Sequence, residues 1–258
     1  MPTKKKIFIF ENPFTLANSL VKKFVQIAEI SIEKNGCFNV ALTGGKSIVE
    51  FYSKLAGFRG FFSWQNTHIF LTDERFVPWE HPESNFRMIK EMLLNDIMIP
   101  RQNIHPVDTR KDNVFLAVKS YEKVLREKLL IRNEYPQFDL ILLSLGEDGH
   151  VASLFPGEKD LEEGKAAVIA AYPSHLKTDR ISLSMPVLNN ARNLNCIVIG
   201  KKKAKALQYV IDQKQDIPAA RLNCYDGEVC FFVDKEAADC LRGKDWEIVD
   251  ENSFLINL

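Results

Sequence analysis

The feature that most constrains this chain is the regular alternation of short apolar segments with segments of helical periodicity. The strand-like segments are mostly apolar and lie at Ile7–Phe10, Phe38–Leu42, His68–Thr72, Phe138–Leu145, Val168–Ala171, Ile181–Leu183, Leu194–Ile199 and Val229–Val233. Apolar residues recur at helical spacing in the segments 16–27, 48–55, 86–93, 114–130, 204–211 and 236–241. Strands without a polar face are typical of a parallel sheet covered on both sides. The pattern predicts a three-layer α/β fold of Rossmann-like type, with helices on both faces of a mostly parallel, twisted sheet.

No repeat, low-complexity tract or linker interrupts this alternation. A length of 258 residues fits one large α/β unit. We therefore predict a single domain over residues 1–258.

The amino-acid composition argues against several classes of binding partner. Lys plus Arg and Asp plus Glu both number 34, so the formal net charge is zero. Such a chain has no overall field that attracts nucleic acid or an acidic membrane, and an anionic ligand needs a local cluster of positive groups. No apolar stretch has the length of a membrane span, and the five cysteines include no CxxC pair. These observations predict a cytoplasmic protein whose thiols are free.

The loops that follow the strands carry the chemistry, because parallel sheets bind ligands at the carboxyl ends of their strands. The first is Thr43-Gly44-Gly45-Lys46-Ser47, between a strand and a helix. Two glycines let a backbone approach an anion closely, and the start of a helix offers free N–H groups. We interpret this loop as a phosphate cradle, although a tight turn alone also explains two glycines. It is not a Walker A loop, since Val40 stands where that motif requires glycine.

A second loop, Asp73–Pro78, places three consecutive charged residues directly after an apolar strand. Packing does not explain them, so Asp73 and Arg75 are candidate site residues. A solvated turn with a local ion pair is the alternative.

The third loop runs from Gly146 to Gly157 and contains His150. Histidine changes its protonation near neutral pH, and a histidine beside glycine at a strand end is accessible enough to be a general base. Asp148 or Glu147 could orient the ring. No second His or Cys lies at ligand spacing nearby, so no metal site is predicted.

A fourth feature is the lysine-rich segment that follows the strand at Leu194–Ile199. We select Lys203 by its position as a phosphate ligand, and Arg180 as a weaker candidate of the same kind. A solvated basic helix start describes the neighbouring lysines. Together the four features indicate a small phosphorylated substrate and proton transfer, and they leave hydrolase, isomerase and deaminase open.

In motif order, the chain resembles the 6-phosphogluconolactonase family, within the wider group that includes glucosamine-6-phosphate deaminases. Gly44–Ile48 resembles the family's Gly-Gly-Ser-Thr-Pro loop, with Lys46 in place of serine. Asp73–Pro78 resembles its DERxVP segment, and Gly146–Gly157 its GxDGHTASLFPG signature. The resemblance implies the fold of the sugar-phosphate isomerase and deaminase group.

It also implies the reaction, hydrolysis of 6-phosphogluconolactone to 6-phosphogluconate. His150 would activate the water, Asp73 and Arg75 would lie in the pocket, and Lys203 would bind the phosphate, with Arg180 as a further candidate. The expected partner is a phosphorylated sugar lactone, without metal, nucleotide or redox cofactor, and the expected state is a monomer or a small homo-oligomer.

Two alternatives remain. The first is a glucosamine-6-phosphate deaminase, whose corresponding loop resembles DGHIAFNEPG and has glutamate five residues after the histidine, where this chain has Phe155. The second is a sugar-phosphate-binding module without catalysis, which an intact His150 loop argues against.

Overall fold

In the computed structural model, the described residues are 5–58, 63–158, 165–173, 176–212, 215–241 and 248–249. The strands are β1 (Lys5–Phe10), β2 (Phe38–Leu42), β3 (Thr67–Leu71), β4 (Asp73–Arg75), β5 (Ile104–His105), β6 (Leu130–Arg132), β7 (Tyr135–Gln137), β8 (Leu140–Ser144), β9 (Val168–Ala171), β10 (Arg180–Leu183), β11 (Asn193–Val198), β12 (Glu228–Asp234) and β13 (Ile248–Val249). The α-helices are α1 (Pro13–Asn35), α2 (Val49–Ala56), α3 (Asn85–Ile89), α4 (Val114–Lys128), α5 (Met185–Asn189) and α6 (Ala204–Asp212).

Eight strands form the central sheet in the order β13-β1-β12-β11-β8-β2-β3-β5, and every neighbouring pair is parallel. The register places Ala41 beside Ile141 and Leu143 beside Cys196, all fully buried. The predicted parallel α/β sheet is confirmed.

Alternate residues of each central strand enter two different cores. In β12, Phe231 belongs to the core that includes Tyr121 of α4 and Leu207 of α6. Its neighbour Phe232 faces the opposite core, which includes Phe24 of α1. The strands are therefore apolar on both faces because helices cover both, which gives the predicted three layers.

The longest helix shows how local sequence sets an element's ends. Asn12 accepts hydrogen bonds from the amides of Phe14 and Thr15, and Pro13 occupies the first turn. At the other end Gly36 adopts a left-handed conformation with φ 76°, which is the usual way to stop a helix. The helical spacing seen in residues 16–27 therefore belongs to a helix that ends at Asn35.

A second, antiparallel sheet of order β4-β10-β9 lies beyond the carboxyl edge of β3. Its first strand corrects the prediction of a loop at Asp73–Arg75, where three consecutive charged residues do not look like a strand. The backbone of that segment pairs with β10, so that Asp73 lies opposite Ser182.

One other local prediction was wrong. Residues 236–241 form turns instead of a helix: the Asp239 amide donates to the Glu236 carbonyl and the Leu241 amide to the Ala238 carbonyl, three residues back in each case. The helix predicted over 114–130 is present as α4, but it ends at Lys128. The next residues enter the hairpin β6–β7, whose tight turn holds Asn133 and Glu134 at positive φ. No helix in the described ranges is long and apolar enough to cross a bilayer.

A pair of histidines lies at the β3–β5 edge of the sheet. His68 Nδ1 and His105 Nε2 are 3.1 Å apart, and the His105 ring stacks on Phe70 with centroids 4.4 Å apart. Burial, assisted by the nearby His68 and Lys128, lowers the pKa of His105 to about 4. Burial also lowers the pKa of His68. Both rings are therefore neutral at neutral pH, and one donates to the other.

This pair predicts an acid-sensitive contribution to stability. Folded His105 binds fewer protons than unfolded histidine, so its contribution is complete above about pH 6.5 and is lost as the pH falls toward 4. We expect His105→Gln to show a smaller loss of unfolding free energy between pH 7.5 and pH 5.5 than the wild type, measured by urea denaturation. The exposed His81→Gln is the control and should behave like the wild type. Equal losses in all three proteins would contradict the assignment.

Candidate active site

A cleft of about 310 Å³ opens at the carboxyl ends of β2, β3, β8 and β11. Its lining residues come from separate loops and are Thr43, Gly44, Gly45, Lys46, Ser47, Asp73, Arg75, Asn85, Ser144, Leu145, Gly146, Glu147, His150, Ala152 and Lys203. This is the edge at which a parallel sheet is expected to bind its ligand.

The loop after β2 packs too tightly for side chains at its glycines. A Cβ atom on Gly44 would lie 1.9 Å from Asn85 Oδ1, and Gly45 has φ 99°. Beneath the loop, the buried Tyr52 hydroxyl donates to the Thr43 carbonyl at 2.7 Å. The glycines thus bring the backbone to the cleft wall, while Lys46 is exposed at the rim.

Lys203 points from the turn after β11 into the same cleft. Its ammonium donates to Ser47 Oγ at 3.0 Å and to Ser144 Oγ at 3.2 Å. Burial lowers the pKa of Lys203, while Cys196, Glu147 and Asp234 act in the opposite direction. An ammonium that two hydroxyls hold and that has lost most of its water is well prepared to bind an anion.

The imidazole ring of His150 forms a hydrogen bond with the Asp148 carboxylate. Nδ1 lies 2.6 Å from Asp148 Oδ1, and the His150 backbone amide donates to the same oxygen. Partial burial raises the pKa of Asp148, but the hydrogen bonds and charge of His150 outweigh it, and the pKa falls to about 2. Since the carboxylate only accepts, Nδ1 carries the proton and Nε2 is left with a free lone pair.

Glycine is again required behind the ring. A Cβ atom on Gly146 would lie 2.1 Å from His150 Nδ1, and Gly149 has φ 90°. On the other side, Phe155 lies 4.8 Å from His150 between ring centroids. The glycines beside the histidine therefore make room for the imidazole and for the turn that presents it.

Asp73 is 6% exposed and contacts the loop that carries His150. Its Oδ2 accepts from Ser153 Oγ at 2.7 Å and its Oδ1 from Thr72 Oγ1 at 3.1 Å. Arg75 donates to the Glu83 carbonyl through Nη1, while its Nε is buried and has no partner among the described residues.

Glu74, between Asp73 and Arg75 in the sequence, holds neighbouring backbone in place through its carboxylate. Its carboxylate accepts from the amides of Arg75, Asn85 and Phe86 and from the Ser84 hydroxyl. Burial raises the pKa of Glu74, and the three amides only partly offset this. Glu74 fixes the start of α3, so that Asn85 Nδ2 donates to the Asp73 carbonyl at 2.9 Å.

The structure brings eight of the ten predicted site residues to the cleft wall: Gly44, Gly45, Lys46, Ser47, Asp73, Arg75, His150 and Lys203. Asp148 is behind the imidazole instead of on the wall. Arg180 lies beside Arg75 in the β4–β10 pairing, where it is buried and donates to the Thr178 carbonyl. Burial and the charge of Arg75 lower the pKa of Arg180.

Four polar wall residues, Thr43, Asn85, Ser144 and Glu147, are not among the ten site residues predicted from the sequence. Thr43 and Glu147 lie in or beside loops that the sequence analysis selected. Ser144 had a usable signal, because it is the last residue of an otherwise apolar strand. Asn85 had no comparable signal. Among the described residues, no group of three or more His, Cys, Asp or Glu side chains is arranged to hold a metal ion.

Comparison with known proteins places this site in a family. The model of the family described as glucosamine-6-phosphate isomerases/6-phosphogluconolactonase matches residues 11–231. The chain belongs to this family. A probable 6-phosphogluconolactonase 2 of Oryza sativa subsp. indica is 33% identical over 267 aligned residues, which cover 96% of this chain and 94% of the relative.

Solved structures of the family share the fold. The 6-phosphogluconolactonase from Trypanosoma cruzi is 32% identical, with a TM-score of 0.84 over 94% of this chain and 99% of that one. A monomeric glucosamine-6-phosphate deaminase has a TM-score of 0.75 but only 16% identity, so it shares the fold alone. Both branches of the family are thus built on this sheet, and only the residues in the cleft can decide between their activities.

Proposed function

We propose that this protein hydrolyses 6-phospho-D-glucono-1,5-lactone to 6-phospho-D-gluconate, in the oxidative pentose phosphate pathway. The observation that carries the proposal is a single cleft lined by both His150, whose ring Asp148 holds from behind, and the Lys203 ammonium. Relatives named 6-phosphogluconolactonase that align over nearly the whole chain support it.

His150 is the proposed base. With its proton on Nδ1, the ring uses Nε2 to take a proton from water as the water oxygen attacks the lactone carbonyl carbon. Asp148 holds the ring in this tautomer and stabilises the imidazolium that forms. The ring C–O bond then breaks, and the imidazolium returns its proton to the leaving ring oxygen. The reaction requires no metal, nucleotide or redox cofactor.

The phosphate would lie against the Gly44–Ser47 loop and Lys203, since this wall combines approachable backbone with a preorganised cation. Lys46, at the rim, adds a second positive charge. Asp73 and Arg75, which also line the cleft, would contact the polyhydroxy part of the substrate, and Arg180 would act through Arg75 because it does not reach the cleft.

A direct assay tests this proposal. Fresh 6-phosphogluconolactone is mixed with the protein, and acid release and loss of lactone are followed after subtraction of spontaneous hydrolysis. We expect catalysed hydrolysis. Binding of 6-phosphogluconate without hydrolysis would instead favour the non-catalytic binding module.

We further propose a cytoplasmic location, a single domain over residues 1–258, and a monomer or small homo-oligomer. Gel filtration and limited proteolysis would test the last two points.

His150→Asn is expected to lower turnover about 10²- to 10⁴-fold, the scale for losing a general base. The affinity for 6-phosphogluconate should change far less, because the phosphate wall is intact. His81→Asn, at an exposed histidine outside the cleft, is the control. Near-normal turnover of His150→Asn would count against the base.

Lys203→Ala is expected to weaken binding of 6-phosphogluconate by about 2–3 kcal/mol, because the lost contact is a largely desolvated charge. The loss should nearly disappear for the unphosphorylated lactone. Lys201, in the same turn but 79% exposed, gives the matched control Lys201→Ala. An equal effect of Lys203→Ala on both ligands, measured by calorimetry and kinetics, would show that Lys203 does not recognise the phosphate.

We expect no deamination of glucosamine 6-phosphate. Ring opening and proton transfer between adjacent carbons require more than one acid/base group. Where the deaminase loop has glutamate, Phe155 packs against the His150 ring and carries no proton. Ammonia release during incubation with glucosamine 6-phosphate is the measurement. A rate comparable to lactone hydrolysis would overturn the choice between the two activities.

A further inference from the structure

Ser153 is a buried hydroxyl that has no function in the proposed mechanism. It is 1% exposed and lies three residues after His150, on the same loop. Its hydroxyl donates to Asp73 Oδ2 at 2.7 Å across 80 residues of sequence. This hydrogen bond directly joins the loop that carries His150 to strand β4, which carries Asp73.

We propose that Ser153 is a positioning residue that fixes the Asp73 carboxylate for the reaction. That Asp73 contacts the substrate rests on the proposed function. That Ser153 holds the Asp73 carboxylate rests on geometry alone.

The Asp73 carboxylate depends on hydroxyl donors for its orientation. Thr72 Oγ1 donates to one oxygen at 3.1 Å, and Ser153 Oγ donates to the other at the shorter distance of 2.7 Å. In the described part of the chain, Asp73 forms no direct salt bridge, although Arg180 interacts with it electrostatically at longer range. A buried carboxylate without a direct salt bridge is held mainly by such charge-assisted hydrogen bonds. Each oxygen accepts one of these bonds, and Asp73 lines the cleft, so further lone pairs remain for substrate hydroxyls.

The position of Ser153 is itself enforced by the backbone. Ala152 adopts φ 51°, which is uncommon for a residue other than glycine, and Val151 bridges to Leu154. The Ser153 amide donates to Ser182 Oγ at 3.2 Å, and Ser182 lies opposite Asp73 in the β4–β10 pairing. Strand pairing and a strained turn thus bring Asp73 and Ser153 together, whether or not a ligand is bound.

A double-mutant cycle tests whether Ser153 acts through Asp73. Ser153→Ala is expected to lower kcat/KM for the lactone about 10- to 100-fold, since it leaves a buried charged acceptor without its donor. In the Asp73→Ala background, the same substitution should change kcat/KM less than about threefold, because the partner is already absent. Ser184→Ala is the matched control: Ser184 is also buried, and its hydroxyl has no partner among the described residues.

Equal losses in both backgrounds would mean that Ser153 only supports loop folding, and no loss in the wild-type background would mean that Asp73 does not need it. Crystal structures of Ser153→Ala and Ser184→Ala provide a readout that needs no turnover. We expect a rotated or disordered Asp73 carboxylate in Ser153→Ala only. An unmoved Asp73 would overturn the proposal. Absence of lactone hydrolysis by the wild type, with Asp73 displaced in Ser153→Ala, would overturn the proposed function and leave the positioning role standing.

Discussion

The structure of the site depends on the parallel pairing of β8 with β2, which places Leu140 beside Val40 and Ile141 beside Ala41. After β2 the next strand of the sheet along the chain is β3, which lies on the side of β2 away from β8. After β8 the next is β11, which lies on the side of β8 away from β2. At such a reversal of strand order, the loops that leave the two strands separate and a crevice opens between them. The glycine loop at Gly44 and the histidine loop at Gly146 border this crevice, so residues of both loops line one cleft.

Local electrostatics give the crevice its preference for an anion, because the chain has no net charge. Lys203 is partly desolvated and is held by two serine hydroxyls, one from each side of the crevice. A side chain that is already oriented loses little entropy on binding. The same holds for the base, whose tautomer Asp148 sets in the absence of substrate. Short hydrogen bonds to neighbouring side chains orient Lys203 and His150, so a field of the whole protein is not needed.

Much of this arrangement was predictable from the sequence, for physical reasons. Strands buried on both faces lose their polar alternation, so the central sheet was visible as apolar runs. Strand ends in a parallel sheet gather at one edge, so residues that directly follow strands, such as His150 and Lys203, could be grouped from sequence position alone. Their chemical roles remain predictions for mutagenesis to test. What could not be predicted depends on contacts between distant segments. The β4 strand at Asp73 is charged and forms only because β10 supplies a partner about one hundred residues later.

The buried contacts of Glu74 and Ser153 likewise have no signature in local sequence. Arg180 was predicted near the phosphate from its position at a strand start, whereas its strand belongs to the second sheet and the side chain is buried beside Arg75. In the proposed reaction, one crevice holds the phosphate on one wall and presents the reacting carbon to His150 on the other. A crystal structure of the protein with 6-phosphogluconate tests this most directly. We predict that the phosphate contacts Lys203 Nζ and the backbone amides of the Gly44–Ser47 loop, with the product carboxylate within hydrogen-bond reach of His150 Nε2. A phosphate bound at Arg75, with the carboxylate away from His150, would contradict it.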